Sequence, residues 1–104
     1  MRRLVHLAAA QRDLASILRY ITRESGSLAV GRGFVGQLRR HGARLASLPG
    51  SIGRARPELR PDMRSSTFKG YVVFFHYRDD LLVVVNIVEG HRDIDGHFEP
   101  TRQE

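Results

Sequence analysis

The sequence predicts an α+β fold: a helical hairpin packed on one face of a mostly antiparallel sheet, in the order β-α-α-β-β-β. Two apolar runs, 71–77 and 81–88, are rich in Val, Ile, Phe and Tyr and are parted by Arg78-Asp79-Asp80. Branched and aromatic side chains fit a pleated surface better than a helix, and a short polar break suits a tight reversal. The pair therefore reads as an antiparallel hairpin. Upstream, Ala10, Leu14, Ile17, Leu18 and Ile21 recur at the spacing of one helical face. Ser25-Gly26-Ser27 and Pro49-Gly50 fall where a helical hairpin would turn and end.

In chain order, residues 2–7 (RRLVHL) read as a short first strand. A helix follows from Ala8 to about Glu24. Asp13 lies toward its positive end, Arg19 and Arg23 toward its negative end. Gly26 can take the left-handed conformation that stops it. Ser27 is a natural N-cap for a second helix ending at Leu48, with Val30, Phe34, Leu38, Leu45 and Leu48 as its core face. Four glycines interrupt that helix, each costing about 1 kcal/mol relative to Ala. By helical angle Gly31 and Gly42 flank the apolar face, where they would let the first helix approach closely. Gly33 and Gly36 point away from it and have no evident purpose. The run 51–61 (SIGRARPELRP) reads as a loop by its Gly, Pro and Arg content. The next strand is expected from about Met63 to Phe68, and a short helix or turn after Gly90. Neither 71–77 nor 81–88 alternates cleanly between polar and apolar, so both faces of that hairpin are expected to be largely covered.

At 104 residues the chain is expected to form a single domain over 1–104. No run approaches the length of a membrane span, and the N-terminal apolar segment is too short for a signal peptide. With no cysteine there is neither a disulfide framework nor a thiolate metal site, and a cytoplasmic location is the default. The net charge of +6 is unevenly placed, because residues 1–64 hold thirteen Arg against four acids. An excess of Arg, whose planar fork grips carboxylates and phosphates at two points, suggests an anionic partner, either nucleic acid or an acidic polypeptide. A genome that spells its cations as Arg would give the same composition.

Few constellations offer chemistry. Arg12, Arg19 and Arg23 on the first helix, and Arg32, Arg39, Arg40 and Arg44 on the second, either bind phosphates or simply face water. Arg54, Arg56, Arg60 and Arg64 form a denser cluster on a long loop, the kind of place where function concentrates. His91, Asp93, Asp95 and His97 alternate with the spacing of a metal-ligand set on an extended segment, but Gly90 and Gly96 imply a turn that would scatter them. Asp93-Ile94-Asp95-Gly96 also lacks the spaced acids and closing Glu of a calcium loop. Ser65 and Ser66 sit in no nucleophile elbow, and His76 lies inside an apolar strand as a buried, hydrogen-bonded histidine would. No catalytic group, metal or cofactor is indicated.

Several stretches together resemble the RelE/ParE superfamily of small bacterial toxins from type II toxin–antitoxin operons. They are Gln11-Arg12-Asp13-Leu14 through Ile17 to Tyr20-Ile21, Leu45 to Pro49, Leu59-Arg60-Pro61 with Met63-Arg64-Ser65, Tyr71 to Phe75, and Ile87 to Ile94. The resemblance spans almost the whole chain, and the family fold agrees with the pattern read above. It also separates two branches. RelE-like toxins cut messenger RNA on the ribosome, commonly with an Arg directly after the Gly-Tyr that opens a strand and a Tyr near the C-terminus. Here those positions hold Val72 and Phe98, neither of which can supply charge or exchange a proton; only Arg92 keeps its counterpart. The chain is more similar to the ParE branch. That resemblance implies a non-catalytic toxin that inhibits DNA gyrase, with a RelE-like ribosome-dependent endoribonuclease as the alternative. It also implies neutralisation by a ParD-like antitoxin whose acidic C-terminal segment folds over the toxin. DNA would be met only through antitoxin or gyrase, with no membrane involved. Arg60, Arg64 and Arg92 are the expected contacts to antitoxin or target; ion pairs with Asp62, Asp93 or Asp95 are their alternative role.

Overall fold

The computed structural model describes residues 2–90. Its elements are β1 (Arg3–His6), α1 (Ala8–Ser25), α2 (Leu28–Ser47), β2 (Arg54–Ala55), β3 (Arg64–Phe68), β4 (Tyr71–Arg78) and β5 (Leu81–Glu89). The strands form one sheet in the order β1-β5-β4-β3-β2. β1 runs parallel to β5, as the helical crossover between them allows, and every other pairing is antiparallel. The predicted architecture holds, with one addition: the expected loop contains β2, whose Arg54 and Ala55 pair with Ser65 and Arg64. Two residues are too few to leave a periodic signature. The helix or turn expected after Gly90 lies outside the described residues.

Both helix boundaries are set by local chemistry. Gly26 takes φ +73 and donates its N–H to the Thr22 carbonyl at 2.8 Å, closing α1. The Ser27 Oγ accepts from the Val30 N–H at 3.2 Å, opening α2. Lys69 and Gly70 both take positive φ, turning β3 into β4 over two residues. The β4–β5 reversal is likewise two residues, Asp79-Asp80; Arg78 belongs to β4, paired with Leu81.

The main core lies between the helices and the sheet. Ala10, Leu14 and Ile17 of α1 and Leu38 and Leu45 of α2 meet Val73, Phe75, Leu82, Val84 and Ile87. Phe75 and Leu82 are fully enclosed. A second cluster, Met63, Val72 and Phe74 with Leu59, Val85 and Val88, covers the opposite face of β4 and β5. This two-sided burial is why the hairpin shows no polar alternation. A register shift also contributes: Phe75 pairs with Val84 and Phe74 with Asn86, leaving Val85 as the extra residue of a bulge. The bulge resets the alternation, so Val84 and Ile87, three residues apart, both join the helix-side core.

Three expectations about the helices need correction, and a fourth, for Gly31, holds. Val30 is 51% exposed and not part of the core. Gly31 does admit α1: a Cβ there would collide with the Thr22 Oγ1 and stand 3.1 Å from the Leu18 carbonyl. Gly42 instead makes room for Leu4 of β1, 3.3 Å from such a Cβ. Asp13 lies beyond the first turn, outside the reach of the helix dipole. Its carboxylate accepts from the Ile87 N–H at 2.8 Å and from Asn86 Nδ2 at 3.2 Å. It therefore caps the edge of β5 that the short β1 leaves open.

Candidate functional site

The residues from Arg54 to Arg64 bring four arginines to the far edge of the sheet, yet each guanidinium has a different setting. The turn is a closed structure of its own: the Arg56 N–H donates to the Met63 carbonyl at 2.7 Å, and the Leu59 and Arg60 N–H groups donate to the Arg56 carbonyl. It carries Leu59 and Met63 onto Val72 and Phe74. Arg56 lies against this lid, its Nε donating to the Ser65 Oγ at 2.9 Å and its guanidinium 5.9 Å from the centre of the Phe74 ring. Arg56 also pairs with Glu58 at 3.4 Å. The Glu58 carboxyl is held below its ordinary value by a backbone hydrogen bond at its own residue, then by Arg56 and, more weakly, Arg54.

Of the three arginines singled out by sequence, Arg60 and Arg64 are not brought together. Arg64 pairs across the ladder with Phe75, a helix-side residue. Its Nε donates to the Ile52 carbonyl at 2.7 Å and a terminal nitrogen donates to the Gly53 carbonyl at 3.0 Å, so the side chain fastens the incoming loop to β3. Arg60 is half-exposed and pairs with Asp62 at 3.5 Å, the alternative role weighed for it. The second Asp62 oxygen lies 3.9 Å from Nδ1 of His76, on the opposite face of the sheet from Arg64. Alternation along β3 and β4 imposes this separation. His76 is buried as expected, but among the described residues its Nδ1 has no hydrogen-bond partner. Arg92 lies outside the described residues, as do His91, Asp93, Asp95, His97 and Phe98. Among the described residues no group of His, Asp and Glu converges as a metal site would. No described helix is long and apolar enough to cross a membrane.

Val72 is 2% exposed and packed in the Met63–Phe74 cluster. Sequence reading passed over two arrangements. Arg2 donates to the Leu48 carbonyl at 3.1 Å and lies 4.1 Å above the Tyr77 ring, tying the start of the chain to the end of α2. His41 stacks on Phe68 at 4.8 Å and its Nε2 lies 2.9 Å from the Ser66 Oγ. Both join residues far apart in the chain, so no local signal announces them.

Comparison with known proteins agrees with this fold. Nine chains of solved structures match. One, from the chromosomal ParDE TA system of P. aeruginosa, superposes with a TM-score of 0.72 at 19% identity, over 86% of this chain and 96% of that one. At that identity the likeness shows a shared fold. No curated protein matches the sequence. Residues 6–94 match the family described as "ParE toxin of type II toxin-antitoxin system, parDE". With both helices and β3 to β5 inside the matched span, the chain belongs to the ParE toxin family of type II toxin–antitoxin systems.

Proposed function

We propose that this chain arrests growth by holding DNA gyrase in its cleaved-DNA state, catalyses no reaction of its own, and is neutralised in the cytoplasm by a ParD-like antitoxin. Family membership supplies the toxin class; the observation that favours gyrase over messenger RNA is Val72. A ribonuclease needs charge poised at the scissile phosphate. Here the corresponding side chain is an apolar group closed beneath Met63 and Leu59. Purified toxin added to gyrase and supercoiled plasmid is expected to accumulate cleaved DNA while leaving transcripts on programmed ribosomes intact. Cut transcripts with unaltered supercoiling would overturn this reading.

The acidic C-terminal segment of the antitoxin is the natural partner of the exposed Arg60 at the sheet edge, with Arg64 and Arg92 as further proposed contacts. Carboxylates can replace Asp62 as the partner of Arg60 at little cost, since exposed ion pairs contribute at most about 1 kcal/mol. An Arg60→Glu, Arg64→Glu double variant is expected to weaken antitoxin binding about tenfold or more in a calorimetric titration. Arg60→Glu alone separates direct contact from loosening of the loop that Arg64 fastens. Unchanged affinity in both variants would remove these side chains from the interface.

A further inference from the structure

The outward face of α2 is cationic, and among the described residues no acid pairs with it. No Asp or Glu occurs between Glu24 and Glu58, so the helix holds Arg32, Arg39, Arg40 and Arg44 and no acid. All four are exposed. Among the described residues, none of them pairs with a carboxylate. At about 100° per residue, Gly33, Gly36, Arg40 and Arg44 fall within an arc of roughly 80° centred opposite the core. A Cβ at Gly33 would meet nothing within 4 Å, and one at Gly36 would meet only the Arg40 guanidinium, at 3.5 Å. These glycines therefore serve no packing among the described residues, yet each weakens the helix by about 1 kcal/mol. Their effect is to leave bare backbone beside a ridge of arginines.

The ridge borders a cleft of about 240 Å³ lined by Gln37, Arg40, His41, Arg44 and Phe68. The imidazole of His41 forms one wall, held against Phe68 and Ser66, and Lys69 lies 5.7 Å from the Phe68 ring. Among the described residues the cleft is lined by two arginines and an amide donor and by no acid. We propose that this face, the α2 ridge with the adjoining His41–Phe68 cleft, binds the sugar–phosphate backbone of duplex DNA directly. The chemistry favours phosphate over an acidic peptide. An amphipathic peptide needs apolar anchors as well as cations. The exposed large apolar residues are Leu7, Tyr20, Leu28 and Val30, none of them between Arg32 and Ser47. Phosphates need only the fixed positive charge and close approach that glycine permits. This contact goes beyond the gyrase reading and does not depend on it, because it is measured without gyrase.

Fluorescence anisotropy of the full-length chain with a labelled duplex of about 20 base pairs, titrated at several salt concentrations, reads the contact. Arg40→Gln, Arg44→Gln is expected to lose about tenfold or more in affinity. It should also lower the slope of log K against log salt by roughly 0.9 for each phosphate contact removed. Arg19→Gln, Arg23→Gln on α1 removes the same charge elsewhere and is expected to stay within about twofold of wild type. Gly33→Glu, at an open helical position, places a negative charge on the ridge without disturbing the core and should weaken binding as the first variant does. Equal losses from the two arginine pairs would show generic basicity and overturn the proposal. So would undiminished binding by Gly33→Glu, or a polyglutamate peptide that binds more tightly than the duplex.

Discussion

Gly53 takes φ +84, and an added Cβ would stand 2.6 Å from the Ser65 carbonyl and 3.0 Å from the Phe75 ring. Neither neighbour can give way, because one is ladder backbone and the other the fully enclosed centre of the core. Gly53→Ala is therefore expected to cost about 2–3 kcal/mol in urea unfolding, combining a strained φ with a collision. Gly50→Ala is the control: it has φ +73 but open space, and should cost only about 1 kcal/mol. The same site shows what can be read from a residue type. Arg64 was legible as a cation on a loop leading into a strand. That its guanidinium is committed to the Ile52 and Gly53 carbonyls depends on where the chain returns, which its own sequence neighbourhood does not encode.

Among the elements, α2 carries the widest contrast between positions of one residue type. Gly31 is pressed against α1, where an Ala would meet the Thr22 side chain and the Leu18 carbonyl. Gly31→Ala should destabilise by about 1–3 kcal/mol through overpacking. Gly33→Ala should stabilise by up to about 1 kcal/mol, since it adds helix propensity in open space. Opposite shifts of the thermal midpoint would check both; a destabilising Gly33→Ala would mean that this face is not open. Helical angle alone anticipated the role of Gly31. It failed for Gly42 because angle gives a direction from the axis but not which element lies there; β1, through Leu4, occupies that side. Asp13 was read for its place along α1, whereas its partners are Ile87 and Asn86, more than seventy residues away.

For the molecule as a whole, two half-buried histidines couple stability to pH. Burial, and then the Arg44 guanidinium, hold His41 below its ordinary value near 6.5; burial and then Arg39 do the same for His6. A histidine depressed in the folded state takes up its proton more readily once unfolded. Its contribution is thus complete above about 6.5 and is lost as the pH falls from there through the folded value. The thermal midpoint is expected to drop between pH 7.5 and pH 5, and a His6→Gln, His41→Gln variant should show a shallower drop. An equally steep fall in the variant would assign the effect to other groups. The uneven charge was plain in the sequence, since it is a matter of counting. That Arg40 and Arg44 border a cleft walled by His41 and Phe68 was not, because Phe68 reaches that side of α2 from β3.

The sequence by itself determined the elements, their order and the family likeness, because periodicity, caps and turn residues act over a few positions and leave local marks. Tertiary structure decided the rest: the two-residue β2, the bulge at Val85, the placing of Arg60 and Arg64 on opposite faces, and the meeting of His41 with Phe68. Each depends on where distant segments arrive. A contact between residues remote in the chain leaves no trace in the spacing of either one.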